Sequence, residues 1–176
     1  GINISKEELG GPDIHLKSGT VDNLAENEED ALNQIKTFLS YLPDNYKNLP
    51  PKINSMDKKN RIENELINII PKDRRKTYNI RKVLSLILDS NSFFEYGKYY
   101  GSGLITGLAR LNGEAVGVLA NDCMIYAGAM TAEASMKLRK FVDFVNTFSI
   151  PVISFVDEPG FMIGPESEKA GTIKHG

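Results

Sequence analysis

The chain has 176 residues, 41% of them apolar, and a formal net charge of −2 at pH 7. This length supports one hydrophobic core and part of a second, and the small net charge argues against a general polyanion- or nucleic-acid-binding protein. A single cysteine excludes an internal disulfide and fits a reducing compartment, and no apolar run is long enough to predict a membrane span.

The two ends of the sequence predict a piece of a longer protein. Residue 1 is a glycine, no signal-peptide pattern follows it, and the sequence stops at Gly176 within a segment whose pattern still predicts a helix. We therefore expect further sequence on both sides of these residues.

The first 50 residues predict two helices. Ser5 and Glu8 have the spacing of a helix-capping pair, which predicts a short helix that Gly10 ends. Residues 27–41 predict a longer packing helix with acidic residues at its amino end, where the helix dipole favours them. Its apolar face consists of Ala31, Ile35, Phe38 and Leu42. His15 could be a metal ligand or a base, but it has no partner at ligand spacing, which favours a structural or surface histidine.

Residues 43–76 differ from their surroundings in composition and predict a linker between two units. Prolines alternate there with charged and asparagine residues. Some apolar side chains could dock this linker onto a surface, namely Ile62, Leu66, Ile67, Ile69 and Ile70. A small basic run could contact a phosphate or form a solvated linker face, and consists of Lys72, Arg74, Arg75 and Lys76. The second use is more common, and no interleaved aromatic residues favour nucleic-acid binding.

The next predicted element is a helix over residues 79–88. Its apolar face consists of Ile80, Val83, Leu84 and Ile87. Residues 89–100 follow as a turn with an aromatic patch around Glu95. Such a patch is more often part of a core than a binding site.

Residues 101–120 predict a β-hairpin. Two apolar runs flank Asn112-Gly113, the dipeptide that favours a tight two-residue turn. The glycines at 101, 103 and 107 lack the spacing of a dinucleotide-binding loop, and a hairpin follows them instead of a helix. The pattern therefore argues against a Rossmann site.

The segment from residue 127 onward predicts a small-residue turn, a helix, a strand, a glycine loop and a new helix. The helix spans 131–148 on an apolar face formed by Ala134, Leu138, Phe141, Val145 and Phe148. Lys137 is predicted to lie away from that face and to pair with Glu133. Residues 151–156 predict a buried strand, and Pro165 suits a first helical position.

The loop between that strand and Pro165 is a candidate site, because ligands of α/β sheets bind beyond the carboxyl ends of strands. Gly160 and Gly164 predict close backbone approach or positive φ, and either a plain strand-to-helix turn or a ligand-lining loop would use them. Asp157 and Glu158 could act as acids, although carboxylates at a loop edge are usually solvated or cap a helix.

Many of these features occur in one order along the chain. On the amino side they are Glu7 to Gly11, His15, Ser18-Gly19, the acidic helix start, Tyr41 to Pro43 and Tyr78 to Glu95. On the carboxyl side they are the Asn112-Gly113 hairpin, the small-residue turn, Lys137, Val156 to Phe161, Gly164, Glu168, Gly171 and Ile173 to Gly176. This order resembles the carboxyltransferase subunit of biotin-dependent acyl-CoA carboxylases, of the propionyl-CoA carboxylase β-chain type.

The resemblance implies an α/β, crotonase-like (ClpP/crotonase) fold of ββα spirals, with the end of one half-domain and the start of a second. Residues 1–50 would be the tail of the N-terminal carboxyltransferase half, 51–77 a linker, and 78–176 the first part of the C-terminal half. The family's paired-glycine oxyanion holes hold anions through backbone N–H groups. The resemblance places them before Gly1 and after Gly176, so no catalytic residue and no metal are expected in this chain. The expected pocket lining consists of Pro159, Gly160, Phe161, Gly164 and Gly171.

The implied activity is carboxyl transfer from carboxybiotin, held on a carrier domain, to the α-carbon of a short acyl-CoA such as propionyl-CoA or acetyl-CoA. The implied partners are a biotin carboxyl carrier and a biotin carboxylase subunit, with the intact protein forming a homo-oligomer, a hexamer in this family. No nucleic-acid partner is expected. The expected compartment is the cytoplasm, or the mitochondrial matrix in a eukaryote.

Alternatives to this carboxylase remain open. The intact protein could instead be the carboxyltransferase subunit of a biotin-dependent sodium-pumping decarboxylase, or this chain could be an inactive structural fragment. A β-oxidation-type hydratase would need a pair of acidic residues beside an acyl-CoA pocket, and we cannot place such a pair. The family's usual residues are absent at Ile163, Lys169, Ala170 and Thr172. This departure leaves the acyl substrate and the biotin pocket open.

Overall fold

The computed structural model describes residues 3–45, 47–73 and 75–176. Within these residues the chain forms eight α-helices and four β-strands. The helices are α1 (Lys6–Gly10), α2 (Pro12–Lys17), α3 (Glu28–Leu39), α4 (Leu66–Ile69), α5 (Ile80–Ile87), α6 (Ala132–Thr147), α7 (Pro165–Lys169) and α8 (Thr172–His175). The strands are β1 (Phe94–Tyr96), β2 (Leu104–Leu111), β3 (Glu114–Asn121) and β4 (Val152–Phe155).

The strands form one mixed sheet in the order β1-β2-β3-β4. Strand β2 pairs antiparallel with both β1 and β3, and β3 pairs parallel with β4. Leu111 lies opposite Glu114, which closes the two-residue turn at Asn112 and Gly113. Both turn residues have positive φ, of 52° and 79° respectively, as the Asn-Gly dipeptide predicts. The predicted hairpin is therefore confirmed.

Helix α6 connects the parallel strands β3 and β4, which confirms the predicted β-α-β order. Thr131 caps this helix by accepting a hydrogen bond from the backbone N–H of Ala134 at 3.2 Å. Phe141 and Val145 are fully buried and lie against Gly117 of β3, where a Cβ atom would be only 3.1 Å from Val145. Gly117 therefore allows the close approach of the helix to the sheet.

The prediction of a buried strand over 151–156 is wrong in its burial. Strand β4 is an edge strand of this sheet, and its residues alternate between exposed and half-buried. The apolar run was continuous, but only one face of this strand packs against other described residues.

The sheet carries a core on each face, since successive residues of a strand point to opposite sides. Helix α5 covers one face, where Leu84 packs with Ile105 and Val118. Helix α6 covers the other, where Phe141 packs with Leu108. The predicted apolar faces of both helices are confirmed by this packing.

The segment predicted as a turn with an aromatic patch contains strand β1, which the sequence did not predict. Its Phe94 and Tyr96 rings lie 6.2 and 6.4 Å from the ring of Phe38 on α3, measured between centroids. The interpretation of the patch as core is confirmed for these two residues, whereas Tyr99 is exposed.

The proline-rich stretch over 43–76 has little regular structure among its described residues. Leu66 and Ile69 pack against the α5 side of the core, as expected for docking residues. Ile62, Ile67 and Ile70 are exposed, so their predicted docking is wrong. In the basic run, Arg74 lies outside the described residues, and Lys72, Arg75 and Lys76 are exposed.

Candidate functional site

The candidate site lies at the edge of the sheet where strands β3 and β4 end. Because these strands are parallel and adjacent, the segments that follow them, residues 122–131 and 156–164, emerge on the same side. The first segment contains a tight turn at Tyr126–Gly128, in which three consecutive residues have φ of 50°, 53° and 82°. The second segment is the glycine loop predicted as the site.

The two segments contact each other through main-chain hydrogen bonds. The N–H of Met130 donates to the carbonyl oxygen of Gly160 at 3.0 Å, and the N–H of Met162 donates to the carbonyl oxygen of Met130 at 2.8 Å. Met130 and Phe161 therefore form a short parallel bridge. The glycine loop is fixed to the turn before α6 instead of extending freely.

Gly160 and Gly164 have φ of 128° and 124°, a conformation that side chains other than glycine rarely adopt. A Cβ atom at either position would meet no atom of the described residues within 4 Å, apart from those of its two chain neighbours. The predicted positive φ is confirmed, whereas close backbone approach within this chain is not the reason for glycine here. The space beside both glycines is open.

The remaining predicted pocket residues lie on or near this loop. Pro159 and Phe161 are exposed, and a side chain at Gly176 would collide with the Phe161 ring. Pro165 begins α7, as predicted. Gly171 has φ of 77° and separates α7 from α8, so the predicted single helix is two short ones. The side chains nearest the open side of Gly171 belong to Lys174 and His175, not to the loop.

The two carboxylates at the loop edge differ in their contacts. Oδ2 of Asp157 accepts a hydrogen bond from the hydroxyl of Tyr78 at 2.8 Å, and its N–H donates to Oδ1 of Asn121 at 3.2 Å. Burial, and next the hydrogen bond to Asp157, raise the pKa of Tyr78. Asp157 and Glu158 are both exposed, but Asp157 anchors the loop through these hydrogen bonds.

A partly buried ionic network lies behind the site, and the sequence did not predict it. Arg81 of α5 donates two hydrogen bonds to the carboxylate of Glu95, at 2.9 and 2.6 Å, and one to Asp122 at 2.7 Å. The two acids favour the charged form and raise the pKa of Arg81. The sequence feature that could have indicated this network is the polar pair Asn121-Asp122 directly after an apolar run, because polar residues at strand ends often belong to a ligand-binding site.

Lys137 was predicted to lie away from the apolar face of α6 and to pair with Glu133, and this is wrong. Its side chain is buried, and its ammonium donates to the carbonyl oxygen of Leu104. Burial lowers the pKa of Lys137 to about 8, against the opposing influence of Glu95. The α6 face that meets the sheet is therefore wider than the predicted apolar stripe.

His15 is half-buried, and its ring lies close to Gly10, in keeping with a structural histidine. Among the residues that the structure describes, no three His, Cys, Asp or Glu side chains are grouped so that they could hold a metal ion. Over the same residues, none of the helices combines the length and apolar character needed to cross a bilayer.

Comparison with known proteins extends these observations. Residues 1–176 match the family described as the carboxyl transferase domain. The carboxyltransferase subunit of propionyl-CoA carboxylase from Haloferax mediterranei is 40% identical over all of this chain and 34% of its own length. Methylmalonyl-CoA decarboxylase subunit alpha from Veillonella parvula is 34% identical over all of this chain and 35% of its own length.

A solved structure matches the whole fold. It is the transcarboxylase 12S hexamer with methylmalonyl-CoA and methylmalonic acid bound, with a TM-score of 0.94 and 35% identity over 99% of this chain and 34% of that one. The predicted crotonase-like α/β fold is confirmed by this match. The chain spans about a third of the length of these relatives. It belongs to the carboxyl transferase domain family.

Proposed function

We propose that the protein containing this chain transfers a carboxyl group from carboxybiotin to the α-carbon of a short acyl-CoA, as the β subunit of an acyl-CoA carboxylase. The observation that carries this proposal is the family match over every residue of the chain, together with 40% identity to a propionyl-CoA carboxylase subunit. Since the chain spans about a third of such relatives, other parts of the protein would supply the glycine pairs that hold the reacting anions.

In this proposal the glycine loop lines the biotin side of the pocket. Pro159, Gly160, Phe161 and Gly164 would border the pocket, with Gly171 behind them at the start of α8. The open space beside Gly160 and Gly164 supports this role, because a flat ring could lie against bare backbone there. The exposed ring of Phe161 supplies apolar surface for the aliphatic chain that connects the biotin ring to its carrier. Carboxybiotin would supply the carboxyl group.

The proposed partners are a biotin carboxyl carrier and a biotin carboxylase subunit, together with further copies of the same protein. The likeness to a transcarboxylase described as a hexamer supports a homo-oligomer, and we propose a hexamer. A reducing compartment, the cytoplasm or the mitochondrial matrix, suits the single half-buried Cys123.

The test uses the full-length protein with its carrier and carboxylase subunits, ATP and bicarbonate. We expect carboxylated product from propionyl-CoA or acetyl-CoA, quantified by mass spectrometry. Removing the exposed ring by Phe161→Ala should raise KM for the carrier. Leu111→Ala should leave this KM unchanged, because Leu111 lies at the hairpin end of β2, opposite to the end of the sheet that carries the candidate site. Lack of product from every short acyl-CoA would reject the proposed activity, and equal effects of the two substitutions would reject the proposed pocket border.

A second candidate is the carboxyltransferase subunit of a biotin-dependent decarboxylase that pumps sodium. The 34% identity to a methylmalonyl-CoA decarboxylase subunit favours it. A second assay, with a malonyl-type CoA and the uncarboxylated carrier, distinguishes the two, because a decarboxylase would move a carboxyl group from that CoA to biotin. Transfer in that direction only, together with co-purification of a membrane partner, would establish the second candidate.

A further inference from the structure

Asn121, the last residue of strand β3, is a buried polar residue to which the sequence predicted no role. Its side chain is only 5% exposed. It lies below the two segments that form the candidate site, at the point where both leave the sheet. A buried amide normally has hydrogen-bonded partners, so the partners of Asn121 indicate what its amide group holds in place.

The amide group of Asn121 contacts one segment with each end. Its Nδ2 donates to the carbonyl oxygen of Gly128 at 3.3 Å, and its Oδ1 accepts from the N–H of Asp157 at 3.2 Å. One side chain therefore connects the end of β3, the turn before α6 and the start of the glycine loop. Gly128 lies 7 residues and Asp157 lies 36 residues from Asn121, so no local turn pattern can replace the contact with Asp157.

The turn that Asn121 holds is strained. Tyr126 and Ala127 have φ of 50° and 53°, which costs on the order of 1 kcal/mol for each residue that is not glycine. Such a turn persists only where its surroundings fix it. Gly128 in the same turn lies so close to the carbonyl oxygen of Asp157 that a Cβ atom would be 2.4 Å from it. The backbone of the strained turn is therefore in direct contact with the backbone at the start of the glycine loop.

We infer that Asn121 is a positioning residue, which holds the strained turn and the glycine loop together so that the loop presents Gly160 and Gly164 in one fixed arrangement to the biotin carrier. This inference rests on the proposed function. Asn121 acts through the loop and touches no reacting atom. Without the amide of Asn121, the loop loses one anchor and becomes looser. The segments stay joined by the hydrogen bonds of Met130 with Gly160 and Met162, so the sheet stays intact.

Two substitutions in the full-length protein separate the two contacts. Asn121→Leu removes both, and we expect amide hydrogen exchange at least ten-fold faster in peptides covering 122–130 and 157–164, with β2 and β3 unchanged. Asn121→Asp keeps the acceptor for Asp157 and loses the donor to Gly128, so exchange should rise mainly in 122–130. Asn146→Leu, an exposed asparagine on α6, is the matched control and should change neither peptide.

Kinetics provide the second measurement. We expect Asn121→Leu to raise KM for the carrier about ten-fold, with KM for the acyl-CoA within two-fold of the wild type. A merely structural role would alter both constants and the exchange of β2 alike, and that result would overturn the inference. Unchanged exchange in both site peptides would overturn it as well.

A third variant covers the case in which Asn121→Leu does not fold. Gly128→Ala leaves Asn121 in place but pushes the turn from Asp157, and we expect the same faster exchange in 157–164 and the same change in KM for the carrier. Normal exchange in this variant would contradict the inference. Because hydrogen exchange needs no turnover, it decides the role of Asn121 even if the wild type carboxylates no acyl-CoA, a result that would reject the proposed function alone.

Discussion

Lys137 lies on the buried side of α6 with its ammonium bonded to the carbonyl oxygen of Leu104. Three other charged groups influence it: Glu95 and Asp22 favour its charged form, and Arg81 opposes it. Burial outweighs the acids and lowers the pKa of Lys137 to about 8. At neutral pH the folded protein therefore holds a charge whose burial reduces its stability.

The lowered pKa of Lys137 predicts a rise in stability at alkaline pH. The folded protein releases this proton near pH 8 and the unfolded chain near its ordinary value of 10.5, so the unfolded state binds more protons in between. From about pH 7.5 to about pH 9.5, the free energy of unfolding of the full-length wild type should rise by on the order of 1–2 kcal/mol relative to Lys137→Met. Urea unfolding at several pH values measures this difference.

The control for that experiment is Arg139→Met on the same helix. Arg139 is exposed and lies 3.9 Å from the carboxylate of Asp143, which is not among the groups that influence Lys137. The difference in stability between this variant and the wild type should not vary with pH in this window. The window also stays below the raised pKa values of Tyr78 and Tyr96, which titrate at higher pH. A difference between wild type and Lys137→Met that does not vary with pH would show that the lysine is not buried in its charged form.

At the scale of elements, the sequence predicts what depends on local pattern. Helices α3, α5 and α6 have apolar residues that recur at helical spacing, and the hairpin has an Asn-Gly turn between two apolar runs. The structure confirms each of these elements. Strand β1 has three residues and forms only because β2 pairs with it, so no local signal marks it. The edge position of β4 likewise depends on which strands are its neighbours, which an apolar run does not record.

The candidate site shows the same division between local and long-range information. Gly160 and Gly164 were predictable, because a tight strand-to-helix loop needs positive φ and glycine supplies it. The contact of Asn121 with Asp157 spans 36 residues, and the contact of Arg81 with Asp122 spans 41. Side-chain hydrogen bonds over such separations follow from the sheet order, so they become visible only in the fold.

Arg110 of β2 joins the first segment of the chain to the hairpin. Its buried guanidinium donates to the carbonyl oxygens of Ser40, Pro51 and Gly113 at 2.7, 2.8 and 3.0 Å. It also lies 4.9 Å from the centre of the Tyr41 ring. One side chain therefore satisfies acceptors on both sides of the residues from 41 to 50.

Replacing Arg110 by lysine should loosen this connection. A lysine ammonium cannot reach three divergent carbonyls as the planar guanidinium does, so at least one acceptor is left unpaired in the interior. We expect a loss of on the order of 2–3 kcal/mol in the free energy of unfolding. Limited proteolysis should also cut residues 41–51 faster. Arg139→Lys, at an exposed position of α6, is the control, and equal cleavage rates in the two variants would contradict this role.

At the scale of the whole molecule, the chain is a sheet covered by α5 on one face and α6 on the other, with the candidate site at one end. Three polar side chains at that end have hydrogen-bonded partners within the chain, namely Asn121, Asp122 and Asp157. What the loop offers a ligand is backbone, an aromatic ring and the exposed carboxylate of Glu158. In the proposed function this loop would border the pocket, and the groups that stabilise the reacting anions would come from other parts of the protein.

This division of roles predicts that the 176-residue chain alone does not catalyse carboxyl transfer. It spans about a third of its relatives, and positioning contributes to rate only when the groups that stabilise the transition state are also present. The chain and the full-length protein should be compared at equal concentration with carboxybiotin and propionyl-CoA. Hydrogen exchange across β2 and β3 must first show that the isolated chain is folded, so that inactivity is not merely unfolding. Product formation by the folded chain above the protein-free rate would place the anion-stabilising groups within these residues and reject the division proposed here.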